Sequence, residues 1–222
     1  MGELRFLSKI EQVAAHLRAE LAGGRWEEAM PGRLELAAEV GINAEKAPAV
    51  KAAVRRLHGY GHRRMVFLSR EERRKPYPAP MEQAFLDELA ALGIKTGVYN
   101  LPDWGDDIAG FYRGLDSLFQ HTPPTALLLV EARLYIAAQQ HLARRGIIAP
   151  RDVSLVCDDP DVAFSWCLPV VSHFHWDPRP VVSRVVRWVE NVARGKVDRR
   201  QSLVPAEFVE GGTIGPVARQ GR

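Results

Sequence analysis

His173 and His175 alternate along the run VVSHFHWD, which puts both imidazoles on one face of an extended segment, with Asp177 two residues further on. Two imidazoles and a carboxylate at that spacing are able to hold a divalent metal, so metal-dependent catalysis is one reading of the chain. Other routes to catalysis find less footing. Ser154 lacks the Gly-x-Ser-x-Gly elbow that presents a nucleophile. No basic residue adjoins Cys157 to draw its thiol towards thiolate, which leaves it as a core thiol. No Gly-x-Gly-x-x-Gly or phosphate-loop motif occurs. The triplet His62-Arg63-Arg64 is a basic knot able to grip a phosphate. Just past a helix end, it reads more readily as cations facing the helix dipole and solvated at the strand edge.

Bulk properties narrow the classes. A chain of 222 residues with 46% hydrophobic and 26% charged residues has an ordinary soluble composition. It contains no apolar run of membrane-spanning length, and its charged start, MGELRFLSKIEQ, is unlike a signal peptide. Two cysteines, Cys157 and Cys167, are too few for a disulfide scaffold, so a reduced, cytoplasmic setting is expected. The net charge of +3 is uneven: residues 1–75 carry 15 Lys/Arg against 10 Asp/Glu, and the remainder 15 against 17. A basic front and a faintly acidic back suit a nucleic-acid reader joined to another module.

Two patterns organise the front. Ile10, Val13, Ala14, Leu17 and Leu21 form one stripe of an amphipathic helix, capped by Ser8 and stopped by Gly23-Gly24. A short link leads to a second helix near RLELAAEV, closed by Gly41, which is the start of a helix-turn-helix. From Met65 onward strands and helices alternate, predicting a parallel sheet covered by helices. Strands are expected at MVFLS, TGVYNL, ALLLV and DVSLVCD, an extended segment at VVSHFHW, and a final strand at LVPAEFVEGG. Helices are expected around AFLDELAAL, IAGFYRGLDSLF and LYIAAQQHLARRG. A further helix begins at Asp177-Pro178, with Val181, Val185, Trp188 and Val192 on one face.

The front, LRAELAGGRW followed by MPGRLELAAEVGIN, resembles the opening of the winged helix in GntR-family transcription regulators through Pro31, Leu36, Ala37, Gly41 and Ile42. That resemblance places Asn43 at the cap of a recognition helix. Leu34 stands where the family has a DNA-backbone arginine, and Arg33 is its neighbour. Pro48 falls where the recognition helix should run, so a break is expected there. The stretch AVRRLHGYGHRRMVFLSRE, 53–71, resembles instead the helix and first strand that open the C-terminal sensor lobe of LacI/GalR-type regulators. PTALLLVEARLYIAAQQHLARRGIIAPRDVSLVCDDPD, LPVVSHFHWD and GGTIGP continue that resemblance in order.

The resemblance implies an α/β fold: a parallel sheet with helices on both faces, as in periplasmic binding proteins, plus a small all-α helix-turn-helix segment. The boundaries expected are 1–47 for the DNA-binding segment, 48–216 for the sensor lobe and 217–222 for a tail. About 100 residues of a first sensor lobe are missing before Pro48, as in a regulator shortened internally. Ligands of open α/β sheets sit beyond the carboxyl ends of the strands. There the resemblance aligns Trp104, Glu131, Asp159 and Trp176 with effector contacts, whereas Met81 replaces a gripping arginine. The implied function is a non-enzymatic transcription regulator without a cofactor. It would bind a duplex operator through Arg33, Asn43, Lys46 and Lys51, sense a small sugar-like effector, act as a homodimer and touch no membrane. Two alternatives stand beside it: a ligand-binding or dimerisation module without DNA affinity, and the metal-dependent enzyme.

Overall fold

The computed structural model describes residues 42–194 and 202–217. In chain order the elements are β1 (Ile42–Glu45), α1 (Ala47–Gly59), β2 (Met65–Leu68), the short α2 (Glu71–Arg74), α3 (Pro80–Ala91) and α4 (Ile108–His121). They continue with β3 (Ala126–Leu129), α5 (Ala132–Arg144), β4 (Ser154–Cys157), a 3-10 turn (Val162–Trp166), β5 (Ser172–His175), α6 (Pro178–Ala193), β6 (Ser202–Pro205) and β7 (Glu207–Val209). The chain divides into two compact units. One takes in residues up to Glu45 together with Trp176–Pro205, and the other Lys46–His175 with Ala206–Arg222.

The larger unit is a five-stranded sheet in the order β2-β3-β4-β5-β7. β2, β3, β4 and β5 run parallel, with Met65 opposite Ala126 and Ala126 opposite Ser154, and β7 closes the edge antiparallel to β5. All four residues of β2, β3 and β4 are buried, as expected of parallel strands covered on both faces. Burying each large side chain here, such as Phe67 or Leu127, contributes about 1.5–3 kcal/mol. The helix from Ala47 buries Ala49, Val50, Ala53, Val54 and Leu57, one apolar stripe against the core. It delivers the chain into the parallel sheet, which settles residues 53–71 as the opening of the sheet rather than a winged hairpin.

α1, α3 and α5 stop in the same way. Gly61, Gly93 and Gly146 all take positive φ, and the next residue's N–H returns to the helix, His62 to the Leu57 carbonyl at 3.1 Å, for example. Glycine alone enters that conformation freely, which is why each helix ends where the sequence places its glycine.

The smaller unit pairs β1 parallel with β6, Ile42 opposite Ser202, and packs α6 on β6. Asp177 caps α6 by accepting the Arg179 N–H at 2.9 Å.

Several expectations need correction. Asn43 caps no helix. It lies inside β1, and α1 begins at Ala47 with Lys46 at its N-cap. Pro48 sets this boundary, because its fixed φ and missing N–H suit a first helical turn. The segment Thr96–Leu101, expected as a strand, is a turn. Asn100 replaces the ladder: its side chain accepts the Gly97 N–H and donates to the Met65 carbonyl, and its own carbonyl accepts the Phe67 N–H. The final strand is split at Pro205 between two sheets. The expected front helices and Arg33 lie outside the described residues.

Candidate effector site

Just beyond β2, β3 and β4, at their carboxyl ends, charged side chains converge. Arg70 follows β2 and reaches Glu131, two residues beyond β3, with Nη2 3.1 Å from Oε2, and also Asp106 at 3.2 Å. Arg133 pairs with the same Glu131 carboxylate. Beyond β4, Asp158 accepts the Glu131 N–H at 3.0 Å, and Lys46 places its ammonium 3.3 Å from Asp158 and 2.9 Å from Asp159. Behind them the fully buried Glu82 accepts from Arg73 at 2.7 Å and from the Ser69 hydroxyl at 2.6 Å.

Two groups here are electrostatically tense. Burial opposes ionisation of Glu131, but the Arg70 and Arg133 guanidiniums prevail and hold its carboxyl below the usual carboxylate range. Asp158 goes the other way. Burial pushes its carboxyl up, the Lys46 ammonium resists, and the neighbouring Asp159 charge adds to the rise. Two carboxylates share one ammonium. Glu131 also takes φ +63, the one non-glycine residue at positive φ among those described. Such strain costs on the order of 1–3 kcal/mol and concentrates at functional sites.

Trp104 is held rather than displayed. Its indole N–H donates to the Ser69 carbonyl at 3.0 Å, its ring stacks edge-on with Phe111 at 5.3 Å, and only 8% of the residue is exposed. The Arg70 and Arg74 guanidiniums lie 5.7 and 5.8 Å from its ring centre. Gly110 makes this possible, since a Cβ there would strike the Gly105 backbone of the loop that carries Trp104.

The expected contacts Trp104, Glu131 and Asp159 are thus brought to one end of the sheet. Trp176 belongs to the smaller unit, where its indole nitrogen is buried without a hydrogen-bond partner. Met81 is buried in α3. Lys46, expected on DNA phosphates, is bound to the two aspartates instead, because it sits where α1 starts beside the end of β4. Lys51 is half-buried on α1. Arg70, Arg73, Arg74 and Asp158 were missed in the sequence, although Arg70 immediately follows a predicted strand and Asp158 stands in a visible Asp-Asp pair.

The metal reading meets a different geometry. His173 and His175 do share a face of β5, but their rings are 6.5 Å apart and His173 Nδ1 is bonded to the Val171 carbonyl at 2.9 Å. Among the described residues no group of three His, Cys, Asp or Glu side chains is placed to hold a metal. Burial pushes the Cys157 thiol up, consistent with a core thiol.

A family model for the periplasmic binding protein-like domain matches residues 54–214. The chain belongs to that family. Solved structures agree in fold. A LacI family transcriptional regulator from Mycobacterium smegmatis superposes with a TM-score of 0.65 at 17% identity, over 79% of this chain and 66% of the regulator. A LacI family transcriptional regulator from Enterococcus faecium with bound ribose gives 0.67 at 14% identity, over 79% and 66%. One from Bifidobacterium animalis subsp. lactis gives 0.65 at 15% identity, over 96% and 86%. The chain thus spans just under two thirds of the first two. No curated protein sequence matches. In this periplasmic-binding-protein-like lobe the converging charges occupy the strand ends where open α/β sheets take ligands. Among the described residues no helix is long and apolar enough to cross a membrane.

Proposed function

We propose that the chain is an effector-responsive transcription regulator, internally shortened, whose larger unit senses a small neutral polyhydroxy molecule, sugar-like, at the carboxyl edge of the sheet. The observation that carries this reading is the cluster of Arg70, Glu131, Asp158, Asp159 and Lys46 beside Trp104, set on a lobe of the periplasmic-binding-protein-like family. Every cation in it already meets a carboxylate, so the site offers directional donors and acceptors with little net field. That suits hydroxyl groups, which exchange hydrogen bonds without bringing charge. The solved relative with bound ribose supports the same ligand class. Trp176, with its unpartnered indole nitrogen, is a further effector candidate on its own unit.

In this reading the basic front segment contacts a duplex operator in the cytoplasm, with Arg33, Asn43 and Lys51 among the contacts, and two copies act together. Lys46 is held by Asp158 and Asp159 and is not among those contacts. A pairing surface is at hand: Val162, Trp166 and Leu168 are 90%, 88% and 95% exposed around the 3-10 turn. Such a patch of large apolar groups marks an interaction surface. The same patch favours a second reading, a self-associating ligand-binding module without DNA affinity. A titration of duplex DNA binding against salt separates the two. A regulator binds, and its affinity falls steeply and log-linearly with salt as phosphate counterions are released. Absence of binding at low salt, with a dimer that Trp166→Asp disrupts, favours the module.

A further inference from the structure

The same strands have another end. At their amino termini Arg64 precedes β2, Thr125 precedes β3 and Val153 precedes β4, and these residues line a cavity of about 460 Å³ together with His62, Arg63, Arg151 and Asp152. Its charges are arranged unlike those at the carboxyl edge. Arg63 is anchored only by backbone carbonyls, Nη1 lying 3.0 Å from that of His58 and 2.9 Å from that of His62. Arg64 donates from Nε to the Pro123 carbonyl at 2.8 Å. Neither guanidinium has a carboxylate partner among the described residues. Arg151 pairs with Asp152 at 2.8 Å and donates to the Gly146 carbonyl at 3.1 Å. The cavity wall therefore carries two uncompensated positive charges, each held in place by main chain.

His62 lines the same cavity as a neutral imidazole. It is 2% exposed, and its Nε2 lies 2.9 Å from the Gly215 carbonyl and 3.0 Å from the Ser154 hydroxyl. A carbonyl only accepts, so Nε2 carries the proton and Nδ1 is left as the acceptor. That Nδ1 is buried and has no hydrogen-bond partner. Burial also lowers the imidazole's pKa, so the positive charge of the wall stays on the arginines.

We propose that this cavity is a second ligand site, distinct from the carboxyl-edge site, for a small phosphate ester. The phosphate takes Arg63 and Arg64, whose planar donors match its oxygens. The volume falls in the range of small-molecule pockets and exceeds what a bare oxyanion fills. Asp152 on the wall and the concave shape disfavour a nucleic-acid backbone, which needs an open positive track.

The test is calorimetric titration of the full chain with ribose 5-phosphate, ribose and inorganic phosphate at low salt. A short duplex competes in a parallel arm. The expected result is saturable binding of ribose 5-phosphate, tighter than of inorganic phosphate and resistant to the duplex. The Arg63→Ala/Arg64→Ala variant should weaken it by at least about tenfold, since it loses charge-assisted bonds. Tyr77→Ala, exposed and outside both sites, should leave it unchanged. The proposal is overturned if the ester does not saturate the protein, if the double variant binds as well as the parent, if inorganic phosphate binds equally tightly, or if the duplex displaces the ester.

Discussion

The two ends of β2, β3 and β4 are only a few residues apart along each strand, yet they solve opposite electrostatic problems. At the carboxyl edge cations and carboxylates are matched: Arg70 with Glu131 and Asp106, Lys46 with Asp158 and Asp159, Arg73 with Glu82. At the amino edge Arg63 and Arg64 rest on backbone carbonyls and keep their charge uncancelled. Matched charges make a near-neutral polar surface. Unmatched ones leave a positive field. One short sheet thus presents two chemically distinct ends, because the charges sit in the flanking turns while the strands themselves carry none.

The contrast can be broken most forcefully from behind the carboxyl edge. Glu82→Leu strands Arg73 beside buried Ser69, and urea unfolding should show a loss of about 3 kcal/mol, since it breaks one side of a buried pair. Gly110→Ala forces the added Cβ against the Gly105 backbone, which cannot swing away as a side chain can. A loss of about 1–3 kcal/mol is expected, with a change in tryptophan emission as the loop holding Trp104 shifts.

Asp158→Asn sharpens the comparison through pH. The folded-state pKa of Asp158 lies above its unfolded value, so the folded chain holds that proton longer, and stability falls as pH rises from about 4 through the raised value. The Asn variant lacks this fall and should melt slightly higher than the parent at neutral pH. Glu131 acts with the opposite sign. Its depressed pKa gives stability that is present above the ordinary glutamate range and lost as pH drops through the folded value. Melting temperatures across acidic to neutral pH read both. The smallest effect belongs to the amino edge. Arg64→Ala removes one exposed bond to a carbonyl, and its stability should stay within about 0.5 kcal/mol of the parent.

Much of this architecture was legible before any coordinates. The apolar runs Met65–Leu68, Ala126–Leu129 and Leu155–Cys157 and the glycines at 61, 93 and 146 carry their own physics: burial on both faces, and left-handed helix stops. The basic turn feeding β2 was legible for the same reason. Thr96–Leu101 misled because alternating apolar residues look like a strand, and only the folded chain shows Asn100 bonding to Met65 and Phe67 in its place. Of the candidate site, Glu131 and Asp159 lie beyond strands visible in the sequence, whereas Trp104 follows the expected strand that is a turn. What pattern alone did not reveal was pairing. Lys46 looked free for DNA, yet it meets Asp158 and Asp159, 112 and 113 positions away. Long-range ion pairs leave no local periodicity to read.

The measurement closest to the central claim is a titration of neutral pentoses and hexoses against the full chain, followed by tryptophan fluorescence and calorimetry. The sensing account predicts that one of these sugars binds saturably, that Glu131→Gln or Asp159→Asn weakens it by about tenfold or more through lost buried hydrogen bonds, and that Arg64→Ala leaves it unchanged. Saturable binding that survives both carboxyl-edge substitutions, or no saturable response to any neutral sugar, would contradict it.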